Sequence, residues 1–316
     1  MIKNNPNTYL FRCSSLHKIL AGTIGLPDGL YNKMLMYEKR KFDAGINLQK
    51  PLTEKMEEEL QELQERHNAK ELPTTMKKAI RDMWRQRTFR RDFIFTNKYI
   101  QKGIEQEERA ITLFQDYHKK VLNKPVLITK NKERFSNKWI TGEPDVKIGK
   151  SKNNKWVSGV DTKCVWSLET LPYKDDELSI NYEAQNQGYM WLTGAKEWVT
   201  ASVLVNATEH QLNNEKNKWY YAYNSPSEKD PFFDDYQKKL RQCELMMIYD
   251  YEKFVSDFPF HPMEIKKDEW FGEGYDMDLK HRVVVHESVY DRAFIEDLKE
   301  RIEISRDYIR QLNKTL

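Results

Sequence analysis

The sequence predicts an α/β protein, and three observations predict it. Short stretches alternate: Val146 and Ile148 with Asp145 and Lys147, then Trp156, Val160, Thr162 and Cys164 in a second run, so both read as strands. Longer stretches repeat at helical spacing, above all Lys102 to Leu122 and Ser179 to Gly194. Third, 316 residues, of which 32% are charged and 12% aromatic, suit one large globular domain or two smaller ones with a sizeable core.

Composition excludes several classes. Twelve glycines and eleven prolines are too few for a collagen-like or repeat chain. A net charge of +3 does not announce a nucleic-acid binder, so any basic surface has to be local. Cys13, Cys164 and Cys243 are far apart with no C-x-x-C pair, which gives neither a disulfide framework nor a zinc or iron-sulfur site and points to a reducing cytoplasm. Met1 to Leu10 is polar, and no window approaches the ~20 apolar residues of a membrane span, so no membrane association is expected.

Taken in order, Phe11 to Leu20 predicts a short helix behind a serine cap, with Leu16, Ile19 and Leu20 on one face. Arg12 with Ser14 or Ser15 could bind a phosphate there, or the serines could simply cap. Glu54 to Glu71 is acid-rich and Lys77 to Arg91 carries seven basic residues, which predicts two antiparallel helices joined near Pro73. Lys77, Arg81 and Arg85, with their basic neighbours and Trp84 and Phe89, either track a DNA backbone or form a solvated face against the acidic helix.

The helix from Lys102 to Leu122 places Ile104, Ala110, Ile111, Phe114, Tyr117 and Val121 on one arc, with Glu107 near its middle. A carboxylate aimed at the core needs a cation or hydrogen bonds to offset its desolvation. Such a place follows in the chain. Residues 145 to 163 predict a hairpin with its turn at Gly149 to Lys155, bringing Asp145 opposite Asp161 and Lys163. Two acids are the hard oxygen ligands that Mg2+ or Mn2+ prefers, and a lysine beside them can orient a water for phosphodiester hydrolysis.

Downstream, the helix Ser179 to Gly194 is followed by predicted strands at Glu197 to Val205 and Trp219 to Asn224, and by a long helix from Phe232 to Phe258. An irregular stretch to Asp278 precedes a strand at His281 to His286. Ser288 and Asp291 then predict a capping box for a C-terminal helix carrying Phe294, Leu298, Ile302 and Leu312. Gly149-Lys150-Ser151 lacks the upstream glycine of a phosphate loop, and the seven histidines form no H-E-x-x-H.

Pro144-Asp145 followed by Asp161-Thr162-Lys163 resembles the PD-(D/E)xK nuclease superfamily. Gly103, Glu107, Ala110 and Phe114, spaced G-x3-E-x2-A-x3-F, resemble the glutamate helix of the phage lambda exonuclease and YqaJ-type viral recombinase family, and Tyr182-x-x-Gln185 resembles its Y-x-x-Q helix. Tyr221 to Pro226 is similar to that family's tyrosine-rich strand end, and Asp161 stands where its more usual acid is glutamate.

The resemblance implies a restriction-endonuclease-like core, a central mixed β-sheet flanked by helices. It implies one nuclease domain over 1–316, with insertions at about 24–98 and 227–278. Asp145, Asp161 and the carbonyl of Thr162 would hold one ion, and Glu107 with Asp145 a second, Mg2+ in both places with Mn2+ able to substitute. Lys163 would position the water and Gln185 would steady it or the scissile phosphate. A lysine near two cations is expected to have a depressed pKa.

The implied activity is 5'-to-3' digestion of linear double-stranded DNA from its ends, for recombination or repair. A homotrimeric ring, a single-strand annealing protein as partner, and the host bacterial cytoplasm for a phage-encoded chain are implied with it. A structure-specific or restriction-type endonuclease and a non-catalytic DNA-binding protein on the same fold are the rival readings.

Overall fold

The computed structural model describes residues 5–46, 48–91, 93, 96–124, 128–148 and 158–315. The first elements are β1 (Phe11–Arg12), α1 (His17–Leu20), α2 (Asp28–Gly45), α3 (Glu54–Asn68) and α4 (Thr74–Phe89). Then α5 (Lys98–Lys120) leads to β2 (Ile128–Lys130), β3 (Phe135–Ser136), β4 (Ile140–Gly142), β5 (Val146–Ile148) and β6 (Ser158–Cys164). Next come α6 (Ile180–Thr193), β7 (Glu197–Val203), α7 (Glu209–Ala222) and α8 (Phe233–Met247). Last are α9 (Tyr251–Asp257), α10 (Lys267–Glu273), β8 (Val283–Val289) and α11 (Arg292–Asn313).

Five strands form one mixed sheet in the order β2-β5-β6-β7-β8, antiparallel throughout except for the parallel pair β6 and β7. A three-stranded sheet, β1-β4-β3, stands apart from it. The side-chain period of two sorts β7 between two cores. Trp198 joins α6, α4 and α11 through Tyr189, Met190, Trp84, Leu298 and Ile302. Ala201 and Val203 join α5 through Ala110, Ile111 and Phe114. The central sheet is thus covered by helices on both faces, as expected.

Two glycine contacts bring the small sheet against α6. A Cβ on Gly142 would lie 2.7 Å from Cys13 Sγ, and one on Gly188 would lie 2.9 Å from that same sulfur. Both backbones close on the buried Cys13. In the central sheet Gly159 is opposite Trp198, whose ring atoms lie 2.2 to 2.6 Å from where a Cβ would stand.

Several local expectations are corrected. Phe11 to Leu20 is not one helix: Phe11 and Arg12 pair with Ile140 and Thr141, a 3-10 turn covers Cys13–Ser15, and α1 starts with no side-chain cap. The acidic and basic helices exist, but α3 packs on α2 around Leu60, Leu63, Met34 and Tyr37. Met76, Ile80 and Trp84 take α4 into the main core instead, because they give it the longer apolar stripe. Trp219 to Asn224 is not a strand; the capping box of Thr208 and Gln211 starts a helix that runs through Ala222.

The long helix at 232–258 is two helices. Asn206 Oδ1 accepts from Tyr249 N and Asp250 N, and Asp250 then caps α9 through Lys253 N, so the helix stops and restarts. The stretch before Asp278 contains α10. Asp291 alone caps α11, since the Ser288 hydroxyl donates to Glu183. The turn at Gly149 to Lys155, with Trp156 and the Gly149-Lys150-Ser151 tripeptide, lies outside the described residues.

Gly159→Ala is expected to cost about 1–3 kcal/mol by overpacking against Trp198. Urea denaturation followed by tryptophan fluorescence measures it, and an unchanged midpoint would show that the ring moves aside freely.

Candidate active site

The hairpin register decides the site. β5 runs antiparallel to β6 with Val146 opposite Val160, so Asp145, one residue before β5, falls beside Asp161. Asp161 is opposite Thr200 and Lys163 opposite Ser202 in the parallel pair, on the sheet face covered by α6. Lys163 Nζ lies 2.5 Å from Asp161 Oδ2 and 4.9 Å from the ring centre of Tyr182. On the same side of α6, Gln185 Nε2 donates to Tyr189 Oη at 2.9 Å, and Tyr189 Oη donates to the Glu143 carbonyl at 3.2 Å. Tyr182, Gln185 and Tyr189 therefore wall the acid pair from one face.

The other face belongs to α5. Its buried stripe is Lys102, Gln106, Ala110, Ile111 and Phe114, with polar anchors at the start. Lys102 Nζ donates to the carbonyls of Trp166 at 2.9 Å and Val205 at 3.1 Å, and Gln106 Nε2 to that of Asn206 at 2.8 Å. These bonds fix the helix against the ends of β6 and β7. The expectation for this helix needs two corrections: Ile104 is 75% exposed, and Glu107 sits at the rim with its side chain 34% exposed rather than in the core. Rotation of the buried stripe onto Lys102 and Gln106 is the reason. Glu107 pairs there with Lys130 at 3.3 Å.

Electrostatics report how close the acids are. Burial, the Asp161 charge and a proton bridging the two carboxyls push the Asp145 pKa well above the ordinary carboxylate range; Glu107 adds to this and Lys163 opposes it. Burial works against the Lys163 ammonium, but Asp161 and Asp145 outweigh it and raise its pKa. Burial, with Asp161 next, also raises the Tyr189 phenol, which places that hydroxyl near the pair.

The donor set suits a divalent cation. Apart from Lys163 and the Asp145 carboxyl, no N–H or O–H group donates to the buried oxygens of Asp161 among the described residues, and the buried Thr162 Oγ1 also lacks a partner. Buried carboxylate oxygens without donors are costly unless something cationic faces them. Asp145 and Asp161 meet that requirement with hard oxygen ligands. Glu107 as placed does not join them: no three His, Cys, Asp or Glu side chains come close enough together to hold an ion among the described residues.

A cleft of about 840 Å3 opens beside the small sheet, lined by Arg12, Ser15, Lys18, Lys78, Arg87 and Arg134 among others, with Asp82 as its acidic member. Arg12 and Ser15 lie on it, whereas Ser14 is exposed beside it. The face of α4 that lines the cleft carries Lys78 and Arg87. Lys77 instead pairs with Glu71 at 2.9 Å, Arg81 Nε donates to the Lys77 carbonyl, and Arg85 lies 4.0 Å from Asp82, all outside the cleft lining. Thr141, also in the lining, is four residues before Asp145, so at most about 14 Å of chain separates cleft and acid pair.

The solved structures decide what this architecture resembles. A phage-related exonuclease from Haemophilus somnus 129PT superposes over 99% of this chain and 99% of its own, with a TM-score of 0.55 and 23% identity. The chain has that exonuclease's fold. An alkaline exonuclease, LHK-Exo, from Laribacter hongkongensis matches over 77% of this chain and 84% of its own, at TM-score 0.43 and 12% identity. LHK-Exo in complex with dAMP gives 0.42 and 11% over the same shares. No protein-family model and no curated protein matches the sequence.

Lys102, Lys130, Lys18 and Arg134 had no signal in the sequence that separated them from other lysines and arginines. Burial pushes the Lys102 pKa down to about 7, against an ordinary value near 10.4 in the unfolded chain. The unfolded state therefore binds the extra proton between those values, and stability rises with pH across that window. Relative to Lys102→Met, the wild type is expected to gain up to about 1.4 kcal/mol per pH unit between pH 7 and 10. Urea titrations at several pH values measure the difference, and a flat one would mean that the two carbonyls keep the ammonium charged.

Proposed function

We propose that this chain is a metal-dependent exonuclease that digests linear double-stranded DNA from the 5' end. The observation that carries the reading is Asp161, fully buried, with Lys163 and the Asp145 carboxyl against it and no other donor, beside a basic cleft. The exonuclease fold agrees with it.

Asp145 and Asp161, with the Thr162 carbonyl, would hold one divalent ion, and Glu107 with Asp145 would help hold a second. Bound there, Mg2+, or Mn2+ in its place, supplies an activated water and neutralises charge building on the phosphate. Lys163 holds its ammonium at the Asp161 carboxylate, positioned to donate to the attacking oxygen or to the phosphate. Gln185, tied to Tyr189, presents its amide from the α6 side and orients the same phosphate. Arg12, Ser15, Lys18, Lys78, Arg87 and Arg134 would bind backbone phosphates and the 5' terminal phosphate.

Digestion of a linear duplex labelled at one 5' end tests this, with and without Mg2+ and with a closed circle alongside. Metal-dependent loss from the phosphorylated 5' end is expected, with Lys163→Ala and Asp161→Ala slower by about 10^2- to 10^4-fold. Cutting of the circle would replace the exonuclease with an endonuclease, and binding without cleavage would leave a DNA-binding protein.

Because Asp145 holds a proton toward neutral pH, a cation has to expel it, so affinity for the metal is expected to rise with pH. Calorimetric titration with Mg2+ in two buffers of different ionisation enthalpy should give different heats at pH 7. Equal heats would count against a proton shared by the pair.

A further inference from the structure

Lys130 is the last residue of β2 and is opposite Val146, one position from Asp145. Its neighbour Asn131 secures the strand end: Asn131 N donates to the Asp145 carbonyl at 2.8 Å and Asn131 Nδ2 to the Pro144 carbonyl at 2.9 Å. The backbone itself thereby places a second ammonium on the α5 side of the sheet, one strand away from β5 and the acid pair. Lys130 Nζ lies 3.3 Å from Glu107 and 3.4 Å from Glu108, with the Lys130 side chain 39% exposed. Glu107 is near enough for its charge to act on Asp145, yet it does not gather with Asp145 and Asp161 into one cluster.

We propose that Lys130 is a placeholder for the cation at Glu107: its ammonium occupies that carboxylate and must be displaced before Glu107 can serve as a ligand. This rests on the metal-dependent reading above. Half-exposed ion pairs are weak, so the competition is mild and reversible, and the third carboxylate is released only as a cation arrives. Glu108, 85% exposed, lies within reach of the same ammonium and gives it somewhere to go. Lys130 is thus a positioning residue that sets how readily the site takes up its metal.

Mn2+ binding to the full chain, read from the paramagnetic resonance signal of free Mn2+ without DNA, tests this apart from activity. Lys130→Met is expected to tighten binding about two- to five-fold, and Lys130→Arg to leave it near wild type. In a Glu107→Gln background Lys130→Met should change affinity by less than about 1.5-fold, since the carboxylate it guards is gone. An equal gain in both backgrounds would overturn the proposal, leaving Lys130 as a general field effect, and so would no gain in either. Thermal melts confirm that the variants fold. Wild type that binds no Mn2+, or an Asp161→Asn variant that binds it equally well, would instead remove the metal-dependent reading, and this inference with it.

Discussion

Two carboxyl groups forced together in a buried place are the constraint that the rest of this protein serves. Asp145 and Asp161 would repel each other and lose solvation if both were charged, and no apolar packing offsets that. The backbone nevertheless holds them side by side, because Val146 opposite Val160 fixes the register and a slip of one residue would turn every side chain to the wrong face. Lys163 and a retained proton reduce the cost. A cation would remove it.

Holding that register takes support on both faces of the sheet. On the α6 side Asn186 Nδ2 donates to Thr200 and Ser288, and Gln187 Nε2 to the Val289 carbonyl, so the helix is hydrogen-bonded to the strands beyond β6. On the α5 side the anchors are Lys102 and Gln106, which donate to carbonyls at the strand ends. These polar groups satisfy backbone that would otherwise be buried without partners. Their directionality fixes where Glu107 and Gln185 stand, which apolar contact alone would leave loose.

Much of this was legible in the sequence, and the parts that were not share a cause. The hairpin was readable because its alternation is local, and local period sets which side chains share a face. So was the closeness of Asp145 to Asp161 and Lys163. The buried stripe of α5 was not, because hydropathy counts Lys102 and Gln106 as surface residues; their partners lie more than sixty positions away. Trp219 to Asn224 looked like a strand because aromatic residues favour strands, yet the helix start at Thr208 outweighed that preference. The cleft was half visible: Arg12 and Ser15 suggested a phosphate site, but which face of α4 would meet them depended on tertiary packing.

Cys13 carries one more implication. Its sulfur is wedged between the backbones of Gly142 and Gly188, and Gly142 precedes Asp145 by three residues while Gly188 follows Gln185 by three. The basic cleft and the acid pair are therefore tied through a joint with no slack. A side chain added at either glycine would press on that sulfur, and so would disturb the chain leading to Asp145 and the helix carrying Gln185 at the same time.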